Sequence, residues 1–267
     1  MVKIGVIGGT GIDSPDILSD LQKKEVVTPF GSPASELTTG KIDGVEVVLI
    51  SRHGPAHKFN PTHVPYRANI WALKQEGCTH ILAPSAVGSL QEHIKPGDLV
   101  FTDQIIDRTT KRDQTFYDTS HLENSTFDKV CHITVAEPTS RYLRDLAKQS
   151  ADILNLEFHD KGAIVVIEGP RFSTKAESNL FRSWNADIIG MTAVPEAFLA
   201  REAEIPYVQI AMVTDYDVWK DSHVTLDEVM ATMASNVEKV KKLLLDLIPK
   251  IKDDEQPEHT ALRGALI

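Results

Sequence analysis

The sequence predicts a single α/β domain in which helices flank a central mixed, mainly parallel β-sheet. Short apolar, β-branched runs alternate along the chain with segments whose apolar residues recur every three to four positions. Alternation of this kind is typical of parallel strands buried between helices. The chain has 267 residues, of which 42% are hydrophobic, so residues 1–267 can share one substantial core.

The predicted strands are short runs rich in Val, Ile and Leu, each closed by Gly, Ser, Asp or Thr. They are residues 2–7, 45–50, 80–84, 99–106, 162–167, 187–191 and 207–213. The predicted helices lie between several of them, at residues 65–77, 140–154, 175–184 and 194–203. Because most of these strands should run parallel, we expect their carboxyl ends to meet at one edge of the sheet.

A final helix is predicted from a capping box at Thr225-Leu226-Asp227-Glu228, where the Thr and Glu satisfy amides at the helix start. An apolar stripe then continues to Leu247, and Pro249 lies just beyond it. Residues 253–267 open with an acidic stretch, so we expect them to form a loosely ordered tail.

The composition argues for a small-molecule partner. A formal net charge of −10, from 38 acidic and 28 basic residues, disfavours nucleic acid, which needs a basic surface. No run of 18 apolar residues occurs, so a membrane span is not expected.

Cys78 and Cys131 suggest neither a disulfide framework nor a zinc ribbon, and no targeting signal is visible at the N-terminus. We therefore expect a cytoplasmic location.

The last predicted strand ends in a motif with two carboxylates. Thr214-Asp215-Tyr216-Asp217 follows directly on the apolar run 207–213. An open α/β sheet usually holds its ligand in the crevice beyond the carboxyl ends of its strands. Carboxylates there would repel a phosphate but suit a group that offers protons, such as an exocyclic amine. The motif therefore bears on the class of substrate.

Other predicted strand ends carry groups that bind anions. The glycine cluster around Thr10 lets backbone amides approach an anion, and Arg52 presents a guanidinium beside the imidazole of His53. Ser85 and Thr192 add hydroxyls at further strand ends. Taken singly, the glycine cluster is also explained by a tight turn, and the Arg-His pair by a surface ion pair.

Three other chemistries are disfavoured. A Rossmann dinucleotide site would need a third glycine where Ser14 stands. His57 and His63 follow His53 closely, but no nearby carboxylate or cysteine completes a metal site, so no metal is expected. A serine nucleophile is disfavoured because the chain lacks a Gly-x-Ser-x-Gly elbow around Ser85.

Two strand ends offer apolar groups suited to a flat ring. Phe172, after the strand 162–167, could stack on a base, and the thioether of Met191 could line an apolar pocket. Either residue alone is more often part of the core. A site that binds inorganic phosphate beside an apolar, amine-bearing ring accounts for all of these strand ends together.

These motifs, in this order, resemble the 5′-methylthioadenosine phosphorylase family, within the trimeric type of the purine nucleoside phosphorylase superfamily. The resemblance covers nearly the whole chain. It rests on Gly8-Gly9-Thr10-Gly11, Ser51-Arg52-His53-Gly54, Asn69-Ile70-Trp71-Ala72-Leu73, Gly97-Asp98, Asp107-Arg108-Thr109, Glu168-Gly169-Pro170-Arg171-Phe172, Met191-Thr192 and Thr214-Asp215-Tyr216-Asp217.

The resemblance implies a nucleoside phosphorylase-like fold and a transferase used in purine and methionine salvage. The implied reaction is reversible phosphorolysis, in which methylthioadenosine and phosphate give adenine and 5-methylthioribose 1-phosphate. Inorganic phosphate is then a co-substrate, and no cofactor is implied. A homotrimer is implied as well, and we expect His121–Cys131 to belong to a contact between subunits.

The resemblance also assigns roles to residues of this chain. The implied phosphate-binding residues are Thr10, Arg52, His53, Ser85, Ala86 (through its backbone) and Thr192. Phe172 and Met191 would flank the base and ribose, and the segment Asp215, Tyr216, Asp217 would bind the base. Ser173 and Leu226 would determine specificity, and Val224, Val229 and Met230 would extend the apolar 5′ pocket. Asp215 and Asp217 are the expected catalytic residues, with Asp215 the proton partner at purine N7.

Two alternatives stay open at this stage. A phosphorylase of 6-oxopurine nucleosides would suit an asparagine at the base better than Asp215 and Asp217. A dinucleotide-binding oxidoreductase or nucleotide sensor would rest only on the imperfect glycine cluster. The chain also departs from the family's common pattern at Val87 and Ala193, which bears on the selectivity among 5′-modified nucleosides.

Overall fold

The structure is a computed structural model that describes residues 1–9, 11–12, 15–118, 127–220, 226–254 and 256–267, with residues 15 and 226–229 described by backbone alone. The strands are β1 (Lys3–Gly8), β2 (Ser19–Lys24), β3 (Leu37–Ile42), β4 (Val45–Ser51), β5 (His80–Ser89), β6 (Leu99–Phe101), β7 (Gln104–Arg108), β8 (Phe158–His159), β9 (Ala163–Ile167), β10 (Ile188–Gly190) and β11 (Tyr207–Tyr216). The helices are α1 (Tyr66–Gln75), α2 (Arg141–Ile153), α3 (Lys175–Ser183), α4 (Ala193–Glu202) and α5 (Leu226–Leu247).

The described strands form one mixed sheet in which most neighbours run parallel. Its main path has the order β2-β3-β4-β1-β5-β10-β9-β7, and β11 joins on the other edge of β5, followed by β6 and β8. The antiparallel pairs are β2 with β3, β3 with β4, β5 with β10 and β6 with β11. The predicted fold class, a mixed and mainly parallel sheet flanked by helices, is confirmed.

The sequence predicted that this strand ends at Pro84. In the structure β5 continues to Ser89. One edge of β5 pairs with β11 throughout, whereas the other edge pairs with β1 only as far as Leu82 and with β10 only from Gly88. The carbonyl of Pro84 faces this gap and accepts from Arg52 Nη1 at 2.9 Å. In a strand the nitrogen of a residue faces the same side as its carbonyl, so the missing N–H of Pro84 removes no ladder hydrogen bond.

Helices cover both faces of the sheet. On one face, α2 and α5 pack through Leu143, Val240 and Leu244 against strand residues such as Val6 and Ile210. On the other face, α1 and α4 pack against a second set that includes Ile7, Ile50 and Ile81. Strands buried on both faces read as continuous apolar runs, which is why the sequence reveals them.

The sequence does not reveal every strand. All six residues of β2 are exposed, so the segment has no apolar pattern to detect. The predicted strand 99–106 is two strands, because Thr102 and Asp103 interrupt it and Asp103 pairs instead with the amide of Gly162 at 2.9 Å. The chain thereby leaves β11, the neighbour of β6, and reaches β9, the neighbour of β7.

The segment expected to be a loosely ordered tail makes defined contacts over residues 256–267. Glu258 is 7% exposed and lies 3.5 Å from Arg201, and Leu266 forms an isolated β-bridge with Cys131. Short-range composition does not register these long-range contacts, and a loosely ordered tail at residues 253–267 stays a prediction. Within the described part of the chain, no helix is both long enough and apolar enough to cross a membrane.

Candidate active site

A cavity of about 300 Å³ opens where several strand ends meet. The sequence-predicted residues among those that line it are Arg52, His53, Ser85, Ala86, Phe172, Ser173, Met191, Thr192, Asp215, Asp217 and Met230. Thr10, Val224 and the side chains of Leu226 and Val229 lie outside the described residues. The predicted anion-binding groups, apolar groups and carboxylates therefore share one cavity.

Arg52 is anchored by a buried carboxylate. Its Nε and Nη2 donate to Glu196 Oε2 and Oε1 at 2.7 and 2.9 Å, and both side chains are 1% exposed. Nη1 donates to the carbonyl of Pro84, and Nη2 also reaches the carbonyl of Ile7 at 3.3 Å. Burial disfavours the charged guanidinium, but Glu196 outweighs it and raises the pKa of Arg52. These bonds leave an Nη1 hydrogen for a ligand in the cavity.

His53 is held as a neutral ring with a fixed tautomer. Its Nδ1 lies 2.8 Å from the carbonyl oxygen of Phe59, which can only accept, so Nδ1 carries the hydrogen. Burial lowers the pKa of His53 to about 4, and the nearby Arg52 charge adds to this effect. The remaining nitrogen, Nε2, is therefore an acceptor at neutral pH. It suits an oxygen that still carries a hydrogen, such as monohydrogen phosphate or a sugar hydroxyl.

The ring of His57 stacks on that of His53, with centroids 4.0 Å apart. The two rings do not form part of a metal site in the structure as described. Among the residues whose placement is given, no group of three or more His, Cys, Asp or Glu side chains comes close enough to hold a metal ion.

Two hydroxyls are free to serve a ligand. Ser85 is 4% exposed, and its oxygen accepts from Gln209 Nε2 at 2.7 Å, which leaves its hydrogen to donate. Thr192 precedes α4, yet its hydroxyl makes no capping hydrogen bond to the described amides of that helix. Ala86 lies next to Ser85 on the cavity wall. These neutral dipoles supplement the guanidinium of Arg52 in binding an anion.

A bulge in β11 sets the direction of Asp215. The pairing with β5 shifts between Val213 and Asp215, so Thr214 is the extra residue. Thr214 Oγ1 donates to Asp215 Oδ1 at 2.6 Å and lies 3.2 Å from the carbonyl of Val87. Burial raises the pKa of Asp215, Thr214 opposes the rise, and the neighbouring Asp217 adds to it. Asp215 therefore keeps a proton to higher pH than a free aspartic acid.

Asp217 is a buried residue, at 6% exposed. Its backbone amide donates to the carbonyl of Ser89 at 3.0 Å, which fixes the chain where the strand ends. Burial raises the pKa of Asp217, although the hydroxyl of Ser178 and the amide of Val218 oppose the rise. Oδ2 of Asp217 is buried without a hydrogen-bond partner in the described structure. An unpaired buried oxygen of this kind favours a ligand that donates to it.

Tyr216 does not join the two aspartates in the cavity. Successive side chains of a strand point to opposite faces, so Tyr216 turns away from the side that Asp215 and Asp217 occupy. Its hydroxyl donates to the carbonyl of Glu92 at 3.3 Å, and Lys220 Nζ lies 3.7 Å from its ring centroid. Of the residues placed in the structure, those that line the cavity do not include Tyr216. Its contact with the base stays a prediction, which the position of this side chain does not support.

Comparison with known proteins places this cavity in a family context. A family model described as the phosphorylase superfamily matches residues 3–249. The chain belongs to the phosphorylase superfamily. It is 54% identical over 253 residues to the S-methyl-5′-thioadenosine phosphorylase of Xenopus tropicalis, covering 94% of this chain and 89% of that protein.

Other members of the superfamily are similar over the full length. The S-methyl-5′-thioadenosine phosphorylase of Thermofilum pendens is 51% identical over 267 residues, covering 100% of this chain and 99% of that protein. A solved structure of a variant adenosine/methylthioadenosine phosphorylase from Schistosoma mansoni, in complex with methylthioadenosine, is 37% identical and superposes with a TM-score of 0.92. That alignment covers 100% of this chain and 99% of the other.

The apolar wall of the cavity in this superfamily member includes Phe172, Met191, Met230 and Met233. Phe172 is 77% exposed and Met230 is 57% exposed, so two of the predicted contacts stand at the open side of the cavity. Gly169 approaches Met191 closely, because a Cβ on Gly169 would lie 2.6 Å from the Met191 sulfur. Its φ of +67° also favours glycine.

Arg112, which the sequence analysis missed, connects two segments of the cavity wall. Its side chain is 1% exposed, and Nη2 donates to the carbonyl of Glu168 at 2.6 Å. Nη1 donates to the carbonyls of Met191 and Val194 at 2.6 and 2.5 Å. One guanidinium thus fixes the backbone before Phe172 and around Met191.

Glu196 and Gln209 were missed as well. Glu196 lies in the first turn of α4, where an acidic residue is already explained by the helix dipole. Gln209 is the polar residue inside the run 207–213, and this interruption was the one signal available in the sequence. Both contact side chains that were predicted, since Glu196 holds Arg52 and Gln209 holds Ser85.

Proposed function

We propose that the protein catalyses reversible phosphorolysis of 5′-methylthioadenosine, giving adenine and 5-methylthioribose 1-phosphate. It is thus a pentosyltransferase of purine and methionine salvage. The observation that carries the proposal is the pairing, across one cavity, of anion-binding groups with two carboxyl groups of raised pKa. Relatives of this chain bear the name S-methyl-5′-thioadenosine phosphorylase, and a similar structure holds methylthioadenosine.

The chemistry requires opposite charges at opposite ends of the cavity. As the C1′–N9 bond breaks, its electron pair goes to the purine and the sugar becomes positive. A phosphate oxygen then bonds to C1′, and a proton is added at purine N7. An enzyme accelerates this reaction by holding phosphate beside the sugar and a proton donor beside the base.

We assign the phosphate to the groups on β4, β5 and the start of α4. Arg52 supplies its free Nη1 hydrogen, and Ser85 and Thr192 supply hydroxyl donors. The backbone of Ala86 and the side chain of Thr10 complete this set in the proposal. His53, with its acceptor nitrogen, takes the hydrogen of monohydrogen phosphate or of a ribose hydroxyl.

We assign the base to the two carboxyl groups. Asp215, whose pKa burial raises, is assigned as the donor of a proton to N7 as the leaving purine becomes negative. Asp217, with an unpaired buried oxygen, accepts from the exocyclic amino group. A 6-oxopurine has a carbonyl where adenine has that amino group, so it leaves this oxygen without a donor. The geometry therefore favours the aminopurine.

The remaining wall is assigned to the base, ribose and 5′ substituent. Phe172 and Met191 flank the base and ribose, and Ser173 lies near the base. Met230 and Met233 line the cavity and offer thioethers to an apolar 5′ group. Val224, Leu226 and Val229 stay predicted members of the 5′ pocket. A methylthio group suits such a pocket because thioethers pack adaptably against one another.

The deciding experiment compares phosphate-dependent base release from methylthioadenosine, adenosine and inosine. We expect methylthioadenosine to have the highest kcat/KM and inosine to have the lowest, with no release when phosphate is omitted. A preference for inosine would support the oxopurine alternative and contradict the proposed substrate. The assay contains no added metal or cofactor. We propose that phosphate is the co-substrate and that the reaction needs no cofactor.

We also propose that the enzyme works as a cytoplasmic homotrimer. The strongly exposed Phe172 and Met230 at the cavity leave apolar surface that a neighbouring subunit could cover. His121 lies outside the described residues, whereas Cys131 pairs with Leu266 of the same chain. Light scattering combined with activity measurements tests the proposal. A monomer that is fully active at low concentration would contradict it.

A further inference from the structure

Gln209 is a buried polar residue inside an otherwise apolar strand. It lies in β11, is 1% exposed, and has the fully buried Val208 and Ile210 as neighbours. A buried side-chain amide costs free energy unless its donors and its acceptor are hydrogen-bonded. The partners of Gln209 therefore indicate its purpose.

Gln209 connects two hydroxyl groups across the sheet. Its Nε2 donates to Ser85 Oγ on β5 at 2.7 Å, and its Oε1 accepts from Thr102 Oγ1, just beyond β6, at 3.0 Å. In the parallel ladder Gln209 is paired with Ala83, so Ser85 is its diagonal neighbour on the same face. We refer to Thr102, Gln209 and Ser85 as the hydroxyl relay.

Thr102 determines the orientation of the Gln209 side-chain amide. Thr102 is fully buried, and its hydroxyl has no acceptor other than Gln209 Oε1 among the residues of the described chain. If the amide were reversed, its nitrogen would face Thr102 and the Thr102 hydrogen would be buried without a partner. That arrangement costs the desolvation of a hydroxyl group, so the nitrogen faces Ser85.

Ser85 is therefore preset as a hydrogen-bond donor. Its oxygen accepts from Gln209, and its own hydrogen is left for the cavity that Ser85 lines. Donors that are oriented in advance bind an anion without reorganisation. We propose that Gln209, fixed by Thr102, is a positioning residue that turns the Ser85 hydroxyl toward the phosphate. The identity of the anion rests on the proposed function.

The test measures binding of inorganic phosphate by titration calorimetry, together with separate KM values for phosphate and methylthioadenosine. We expect Ser85→Ala to weaken phosphate binding about tenfold or more, the scale of a lost hydrogen bond to a charged group. Gln209→Leu should weaken it about threefold or more, near the lower end for one hydrogen bond. In the Ser85→Ala background, Gln209→Leu should cause no further loss, because it acts through Ser85.

A matched pair at Thr102 tests the other end of the relay. Thr102→Ser keeps the hydroxyl and should retain the wild-type phosphate affinity. Thr102→Val keeps the shape but removes the hydroxyl, and should weaken phosphate binding as Gln209→Leu does. The KM for methylthioadenosine should stay near the wild-type value in all of these variants, which a general loss of packing would not allow.

Several outcomes would overturn the relay. They are additive losses in the Ser85→Ala and Gln209→Leu double variant, wild-type affinity in Thr102→Val, no effect of Ser85→Ala, or equal rises of both KM values.

The proposed function fails in a different way. A wild-type protein that binds phosphate but releases no adenine from methylthioadenosine contradicts that function and leaves the relay intact. A wild-type protein that binds no phosphate overturns both.

Discussion

Glu196 holds the guanidinium of Arg52 through two hydrogen bonds of 2.7 and 2.9 Å, with both side chains buried. Tyr207 Oη donates to the same carboxylate at 2.9 Å, so the acid is satisfied from a third direction. The pair fixes the planar fork of Arg52 at the cavity but also neutralises much of its charge. Anion binding must then depend on fixed neutral donors as well as on charge.

Replacing Glu196 by Gln should destabilise the free protein strongly. The variant leaves the Arg52 charge buried without a counter-charge, which costs about 3–5 kcal/mol when one partner of a buried pair is lost. Urea unfolding measures the change. Saturating phosphate should recover part of it, because the ligand supplies negative charge beside Arg52.

The exposed pair of Lys148 and Asp152, 3.1 Å apart, provides the matched control. Asp152→Asn should change the free energy of unfolding by no more than about 0.5 kcal/mol, since surface ion pairs contribute little. If the Glu196 and Asp152 variants proved equally stable, the buried pair would not have the role assigned to it.

Replacing Asp215 by Ala should lower the rate of phosphorolysis at least about a hundredfold, the scale of lost general acid catalysis. Tyr216→Phe is the control within the same motif, because Tyr216 faces away from the cavity, and it should keep near-normal kinetics. Steady-state rates with methylthioadenosine measure both variants. Near-normal turnover of the Asp215 variant would remove Asp215 from the mechanism.

Replacing Gly169 by Ala should raise the KM for methylthioadenosine. The added Cβ would lie 2.6 Å from the Met191 sulfur, so Met191 must move, and the φ of +67° adds strain. Gly44 has a φ of +82° with nothing within 4 Å of its Cβ position. Gly44→Ala should therefore lower the Tm without changing the KM. Equal kinetics in the two variants would argue that Met191 does not contact the nucleoside.

The stability of the protein should fall as the pH drops from about 6.5 to about 4, in part because of His80. Burial lowers the pKa of His80 from 6.5 to about 4, with His259 adding to the effect and Asp253 opposing it. In this window the unfolded chain binds a proton at His80 that the folded chain does not, so acidification favours unfolding. The contribution is fully present above pH 6.5.

His80→Phe removes this difference in proton binding. The loss in free energy of unfolding between pH 7 and pH 4.5, measured with urea, should be smaller in the variant than in the wild type. The pKa of His53 is also lowered to about 4, so His53 contributes to the pH dependence of stability in both proteins. An unchanged pH dependence in the His80 variant would contradict the assignment.

The parts of the site that the sequence predicts are those that local patterns record. Arg52 and Asp215 each come one residue after an apolar run, and a buried strand that stops at a polar group is visible without a structure. Pro84 misled the same reasoning, because its effect depends on which neighbour its nitrogen faces. Arg112 lies in a segment with no periodic pattern, so nothing local indicated that it joins Glu168 to Met191.

The sequence by itself determined the order of the main buried strands and the helices, and the chemical groups at the strand ends, because apolar periodicity and turn residues act over short ranges. Only the tertiary structure decided how those groups are paired and protonated. Glu196 is far from Arg52 along the chain but binds it in the fold. The carbonyl of Phe59 fixes the tautomer of His53. The side chain of Tyr216 points away from the cavity because successive side chains of a strand alternate between its two faces. Burial and hydrogen-bond partners set these states, and both exist only once distant segments have packed together.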